Sequence, residues 1–311
     1  MKYFDAKTVE KLLNYDELIE ALAQSHQGNM PESAHMLRNE PEEGHNQFIA
    51  LVGWQKDEII AVKLVGVFPD NLKMQPAQPS IQGVVVAFDA KTGAPKFSAD
   101  GAEMTFRKTA GVSGLGSRIL ARQDAETLLV VGAGGLAPHV LQAHCAARPS
   151  IKKVLIWNRT FSKAEALAAV WNTVERPVQA VSDLSAATQV ADIISCVTMS
   201  DTPLIKGEDL KAGAHLDLVG AYMPTMREAD NAAMLKGRIY VDTRQNMEGA
   251  GDLRQPVDLG LMGWDCIQGD LFDLNKKSVP ARLSADEITI FKNVGGGHLD
   301  LFTAQMLGRH I

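Results

Sequence analysis

The sequence predicts an α/β chain whose second half is a doubly wound parallel sheet, preceded by a smaller, mostly antiparallel α+β region. Three observations carry this. Leu128–Val131 is an apolar β-branched run that stops abruptly at Gly132-Ala133-Gly134-Gly135, and a helical pattern follows with Val140, Leu141, His144 and Cys145 on one face. From Thr127 onward, strand-like runs alternate with helical or loop segments: Lys153–Trp157, Pro177–Val181, Asp192–Val197, His215–Gly220 and Arg238–Asp242. Before Thr127 the β-type runs Phe48–Trp54, Glu58–Val67 and Gln82–Asp89 are separated by turn residues instead.

In chain order, Asp5 is placed to cap a first helix and Asp16 to start a second, with Leu18, Ile19, Leu22 and Ala23 on one face. Residues 28–46 are polar, broken by Pro31, Pro41 and Gly44, and read as a loop. Asp89-Ala90-Lys91-Thr92-Gly93 is a hairpin signal, and Thr105–Arg122 reads as a linking helix. The parallel sheet has about six strands on this reading. Ala285–Lys292 and Leu299–Leu307 read as helices joined by Gly295-Gly296-Gly297.

Composition narrows the classes of function. The 311 residues exceed one typical domain, and 46% hydrophobic with 22% charged residues is ordinary for a globular protein. A net charge of −6 without a basic cluster argues against nucleic acid as a partner. No run approaches the length of a membrane span, and the N-terminal stretch has acidic residues and no apolar core of signal-peptide length, so a cytoplasmic location is expected. Cys145, Cys196 and Cys266 are too scattered for a disulfide framework or a metal site.

The glycine turn carries the chemistry. With Ala137 as its third small residue it reads G-x-G-x-x-A after a strand and before a helix, which is the pattern that lets a backbone approach a dinucleotide pyrophosphate. Gly132, Gly134, Gly135 and Leu136 would cradle that anion at the helix N-terminus. The second strand, about 20 residues on, ends in Asn158-Arg159-Thr160 with no carboxylate to take a ribose 2′-OH. Arg159, helped by Asn158 and Thr160, suits a 2′-phosphate, so NADP(H) is preferred and NAD(H) is the alternative.

Other candidates lie at strand ends or in odd company. Lys63 interrupts an apolar strand on the face of Ala61 and Val65 and needs either solvent or an anion there, a substrate carboxylate being one such anion. Arg107-Lys108-Thr109 places cations at a helix start. Thr198 and Met199 follow one parallel strand and Tyr222 another, at the carboxyl ends where open α/β sheets bind ligands. Thr198 is placed for the cofactor ribose or nicotinamide and Tyr222 for the substrate. Glu228 and Asp230 read as helix caps, and so does Asp300. Gly295 offers backbone approach to a nicotinamide ring, and His298 reads either as a general acid or as structural. With no triad, Walker loop or metal cluster in view, the chemistry falls to the cofactor.

These stretches together resemble the ornithine cyclodeaminase/μ-crystallin superfamily: Lys63-Leu64-Val65 with Pro69-Asp70-Asn71, the Asp89–Gly93 turn, Thr105–Ala110, Val131–Gly135, Asn158-Arg159, Gly220-Ala221 with Arg227-Glu228, and Ile288–Lys292 with Gly295. The resemblance implies a Rossmann domain, 119–295, inserted into a substrate-binding and dimerisation domain, 1–118 with 296–311, and a homodimer. It implies that the substrate carboxylate is held by Lys63 and by the arginine of a T-x-x-R-T-A pattern. Here Lys108 stands in for that arginine, with Arg107 one position earlier. Arg38 or His45 from the first loop would add to that set.

The superfamily's cyclodeaminases and alanine dehydrogenases carry an aspartate two residues after the position matching Gly220, where this chain has Tyr222. That departure resembles the branch of bacterial Δ1-pyrroline-2-carboxylate reductases of proline and hydroxyproline catabolism. The activity implied is NAD(P)H-dependent reduction of that cyclic ketimine, and of Δ1-piperideine-2-carboxylate, to L-proline and L-pipecolate. Lys63 and Tyr222 would be its catalytic residues, and the proton would come from solvent, from Tyr222 or through a water. Ornithine cyclodeaminase, or an NADPH-loaded binding protein without turnover, are the alternatives on the same scaffold.

Overall fold

The computed structural model describes residues 1–42 and 44–311, and all of Leu72 but its side chain. The chain divides into two compact units, Met1–Lys108 with Gly296–Ile311 and Thr109–Gly295. The division falls within a helix, where the sequence reading places it at 118/119.

The first unit contains β1 (Lys2–Phe4), α1 (Ala6–Leu12), α2 (Tyr15–Ser25), β2 (Glu32–Asn39), β3 (Gln47–Gln55), β4 (Ile59–Val67), β5 (Ile81–Asp89), β6 (Pro95–Asp100) and the start of α3 (Gly101–Leu120). Its six-stranded sheet has the order β1-β6-β5-β4-β3-β2, antiparallel except for the β1–β6 pair. Asp5 caps α1 as expected, but α2 is capped by Asn14, which accepts from the Glu17 amide, and Asp16 lies in the first turn beside the positive end of the helix. Asp89 closes the β5–β6 hairpin by accepting from Lys91, from the Thr92 amide and from its hydroxyl, and Gly93 takes φ +73°.

The loop expected over 28–46 contains strand β2. All eight of its residues are exposed, so backbone pairing with β3 holds it at the sheet edge. An edge strand with no buried face leaves no alternating pattern to read.

The second unit runs through the rest of α3, β7 (Thr127–Val131), α4 (Ala137–Ala147), β8 (Lys153–Trp157), α5 (Phe161–Trp171), β9 (Val178–Val181), α6 (Leu184–Val190), β10 (Ile193–Cys196), β11 (His215–Leu218), α7 (Asn231–Lys236), β12 (Arg238–Val241), α8 (Gly251–Asp258), β13 (Ile267–Gly269), α9 (Leu271–Asn275) and β14 (Thr289–Lys292). All its strand pairs are parallel, in the order β13-β12-β14-β11-β10-β7-β8-β9. Chain order reverses at β7, which lies between β8 and β10, so the ligand crevice of such a sheet is at the carboxyl ends of β7 and β10.

Ala285–Lys292, read as a helix, holds β14, four fully buried residues between β11 and β12. Short apolar runs buried on both faces carry neither period clearly. With β13 also present, the sheet has eight strands where about six were expected.

The final helix α10 (Gly297–Gly308) returns to the first unit and packs on β3 and β4. A Cβ on Gly53 would meet Gly297 O and Leu301 Cβ, each at 2.9 Å, so glycine lets helix and sheet approach. Among the described residues no helix is long and apolar enough to cross a membrane.

Candidate active site

In the first unit, the alternation of β4 buries Ile59, Ala61, Lys63 and Val65 on the face that α10 covers. Lys63 Nζ is 3.1 Å from Asp300 Oδ2, and Lys108 Nζ is 3.6 Å from the same oxygen. All three residues are buried. Two cations and one anion leave a formal charge of +1, and burial lowers the Lys63 pKa from 10.5 to about 8 although Asp300 opposes this. Asp300, read as a cap, is instead the counter-ion of both lysines.

Arg107 does not stand in for the missing arginine. Its guanidinium is bound by Glu103 at 2.7 Å and Glu10 at 3.0 Å and lies over the Tyr15 ring. Nor does the structure bring Arg38 or His45 to Lys63. Arg38 pairs across to Phe48 and Gly66, three positions from Lys63 on β4, and an odd offset puts it on the opposite face. His45 is exposed in the turn after β2, at Asp70. Both expectations assumed that residues 28–46 formed a loop free to fold over the site, and β2 removes that freedom. His298 is buried in the first turn of α10 beside His26 and Phe302, and burial pushes its pKa well below the usual value, which fits a structural role.

In the second unit, Gly132 ends β7 with φ +119°. The Ala133 amide donates to Asn158 Oδ1, and Asn158 Nδ2 donates to Thr160 O. Asn158 therefore braces the glycine turn with its oxygen and one N–H, while Arg159 is exposed at the end of β8. Gly134 is also exposed, and a Cβ there would meet nothing within 4 Å. Among the described residues no contact requires glycine at that position, which leaves its backbone free for the close approach that the dinucleotide pattern calls for. No side chain caps α4, so its N-terminus is open to an anion. These residues fit a dinucleotide.

Thr198, Met199 and Tyr222 all lie at the carboxyl ends of β10 and β11, Met199 and Tyr222 largely exposed. Gly295, φ +85°, donates its amide to Asp242, which also receives the Val294 amide. Asp230 caps α7 as expected. Glu228 does not cap. Wholly buried, it accepts from the amide and hydroxyl of Thr198 and from the amides of Gly220 and Ala221. Burial raises its pKa, with Lys292 opposing. Its position two residues before the cap suggested capping too, and only the fold shows the difference.

The model of the ornithine cyclodeaminase/mu-crystallin family matches residues 5–309. Protein SAR DEFICIENT 4 of Arabidopsis thaliana is 41% identical over 252 residues, covering 80% of this chain and 77% of its own. A Delta(1)-pyrroline-2-carboxylate reductase of Paracoccus denitrificans is 36% identical over 298 residues, covering 96% and 93%. The solved structure of Thermococcus litoralis Delta(1)-pyrroline-2-carboxylate reductase, in complex with NADH and L-proline, superposes with a TM-score of 0.92 at 26% identity, covering 99% of this chain and 97% of that one. The chain belongs to the ornithine cyclodeaminase/mu-crystallin family.

Proposed function

We propose that the protein is a nicotinamide-dependent oxidoreductase that reduces Δ1-pyrroline-2-carboxylate to L-proline, with Δ1-piperideine-2-carboxylate as a second substrate giving L-pipecolate. The observation that carries this reading is the buried Lys63–Asp300–Lys108 cluster, one positive charge in excess, in a chain whose other unit holds the dinucleotide turn. The relatives named above support it.

Lys63 and Lys108 bind the imino acid carboxylate, and Asp300 keeps the two ammonium groups together against their repulsion. Gly132, Gly134, Gly135 and Leu136 hold the pyrophosphate, with Thr198, Met199 and Gly295 toward the nicotinamide end. When bound, the dinucleotide supplies hydride to the ring carbon that bears the carboxylate. A protonated imine nitrogen is the better acceptor, and Tyr222, exposed at the end of β11, delivers that proton directly or through a water. The absence of an aspartate at 222 sets this chemistry apart from deamination.

Arg159 at the end of β8, in a strand end without a carboxylate, favours NADPH over NADH. The face of the first sheet opposite α10 carries Phe48 and Trp54, 45% and 50% exposed, beside half-buried Val52, Ile60, Val62 and Leu64. A second copy of the chain would cover it, giving a homodimer. Three unpaired cysteines suit the reducing cytoplasm.

The test is loss of NADPH absorbance with Δ1-pyrroline-2-carboxylate beside ammonia release from L-ornithine. Oxidation without ammonia is expected. Ammonia without oxidation would replace the reductase with a cyclodeaminase.

A further inference from the structure

Thr198 stands where three strand ends meet. Its Cγ2 is 3.3 Å from where a Cβ would sit on Gly132, and its backbone oxygen is 1.7 Å from that position on Gly220. Gly132 follows β7, Gly220 follows β11, and Thr198 follows β10 between them. This is the crevice at which chain order reverses.

The Thr198 hydroxyl is held in one orientation. Oγ1 donates to Glu228 Oε1 at 2.8 Å, and the Thr198 amide donates to the same oxygen at 2.6 Å. Glu228 Oε2 accepts from the Gly220 amide at 2.7 Å and the Ala221 amide at 3.3 Å. Backbone amides only donate, so three of these four contacts require the carboxylate to accept. The backbone at Glu228 is anchored in turn. Its amide and that of Ala229 donate to Asp252 Oδ1 at 2.8 and 3.2 Å, and Lys292 Nζ donates to Asp252 Oδ2 at 3.1 Å. Glu228, Asp252 and Lys292 are each wholly buried.

A hydroxyl has one proton and two lone-pair sites. With its proton directed to Glu228, Thr198 has only acceptor capacity left for a ligand. We propose that Glu228 sets the polarity of Thr198, so that this hydroxyl receives a hydrogen bond from a donor on the nicotinamide–ribose half of the dinucleotide. That donor is a ribose hydroxyl or the carboxamide N–H. A pyrophosphate, which only accepts, does not bind at this atom. Thr198 is the ligand contact and Glu228 a positioning residue, and the inference rests on the dinucleotide reading above.

The experiment titrates the full chain with NADH and with reduced 3-acetylpyridine adenine dinucleotide, which lacks the carboxamide N–H, and follows protein fluorescence. Thr198→Val should weaken NADH binding about tenfold, and Thr198→Ser should stay within about twofold of the unsubstituted protein. If the carboxamide is the donor, the unsubstituted protein prefers NADH to the analogue and Thr198→Val abolishes that preference. If a ribose hydroxyl is the donor, Thr198→Val weakens both dinucleotides equally. Glu228→Gln puts an amide N–H among the donors and turns the Thr198 proton outward. It should therefore weaken NADH to a similar degree, and combining it with Thr198→Val should add no further loss. Full additivity overturns the role of Glu228. Should Glu228→Gln fail to fold, the two Thr198 variants still decide whether this hydroxyl contacts the dinucleotide, without which Glu228 has no such role. Unchanged affinity in Thr198→Val, or equal losses in Ser and Val, overturns the proposal and leaves dinucleotide binding standing. An unsubstituted chain that binds neither NADH nor NADPH overturns both.

Discussion

Lys63 Nζ lies 3.1 Å from Asp300 Oδ1, although 237 positions separate the two residues in the chain, and both are buried. Asp300 is the shared counter-ion of Lys63 and Lys108, so the cluster stays folded with one positive charge unbalanced. Burying charge is costly unless it is paired, and the unmatched cation makes an anion the natural complement.

Asp300→Asn removes the one negative charge and leaves two buried ammonium groups. We expect a loss of about 3 kcal/mol or more in urea unfolding. Lys63→Met added to Asp300→Asn should recover part of that loss, because the two changes act on one ion pair. Strictly additive losses would contradict the shared counter-ion.

Lys63→Met alone leaves Lys108 to hold Asp300, so the fold should survive. The carboxylate loses a charged partner, which corresponds to about 2–3 kcal/mol of binding and a KM for Δ1-pyrroline-2-carboxylate raised about 30- to 150-fold. Dinucleotide affinity should not change. Parallel loss of both affinities would mean that the lysine acts through the fold.

The pH profile follows from the same lysine. Its native pKa, about 8, is below the ordinary 10.5, chiefly because it is buried. Carboxylate binding needs the ammonium form, so KM should climb as pH rises past about 8, and Lys63→Met should flatten that limb. For stability the sign is opposite. Between about 8 and 10.5 the unfolded chain binds more protons at this site than the native one, so this residue's contribution to stability increases with pH across that window. Its desolvation cost is felt in full below pH 8. A KM insensitive to pH between 7 and about 9.5 would remove Lys63 from the carboxylate site.

Arg159→Ala should raise the KM for NADPH about tenfold and leave NADH within about twofold, since only the 2′-phosphate gains from a guanidinium. Steady-state kinetics with both cofactors decide this. Equal effects on the two would assign Arg159 to the solvated surface.

Trp54→Glu places a charge on the open apolar face of the first sheet. Sedimentation velocity should show a dimer for the unsubstituted chain and a shift to monomer for the variant. A monomer before substitution would remove this face as the contact between copies.

The sequence by itself determined the features that neighbouring residues write together. The turn at Gly132–Gly135 between β7 and α4, the hairpin at Asp89–Gly93, the cap at Asp5 and the anomalous Lys63 in β4 all depend on spacings of a few residues, and periodicity or turn chemistry reports them directly. Tertiary structure decided what distant segments do to one another. Asp300 and Glu228 looked like caps because an acid near a helix start reads the same whether it caps or not. Their actual partners, Lys63 and Lys108 for the one and the Thr198 and Gly220 strand ends for the other, are brought up only by folding. Strand β2 is held by backbone pairing at an exposed edge and β14 is buried on both faces, so neither has the one-sided apolar pattern that marks a strand in sequence. The fate of Arg107 was settled in the same way: Glu10, Glu103 and Tyr15 take up its guanidinium, which leaves the excess positive charge with Lys63 and Lys108.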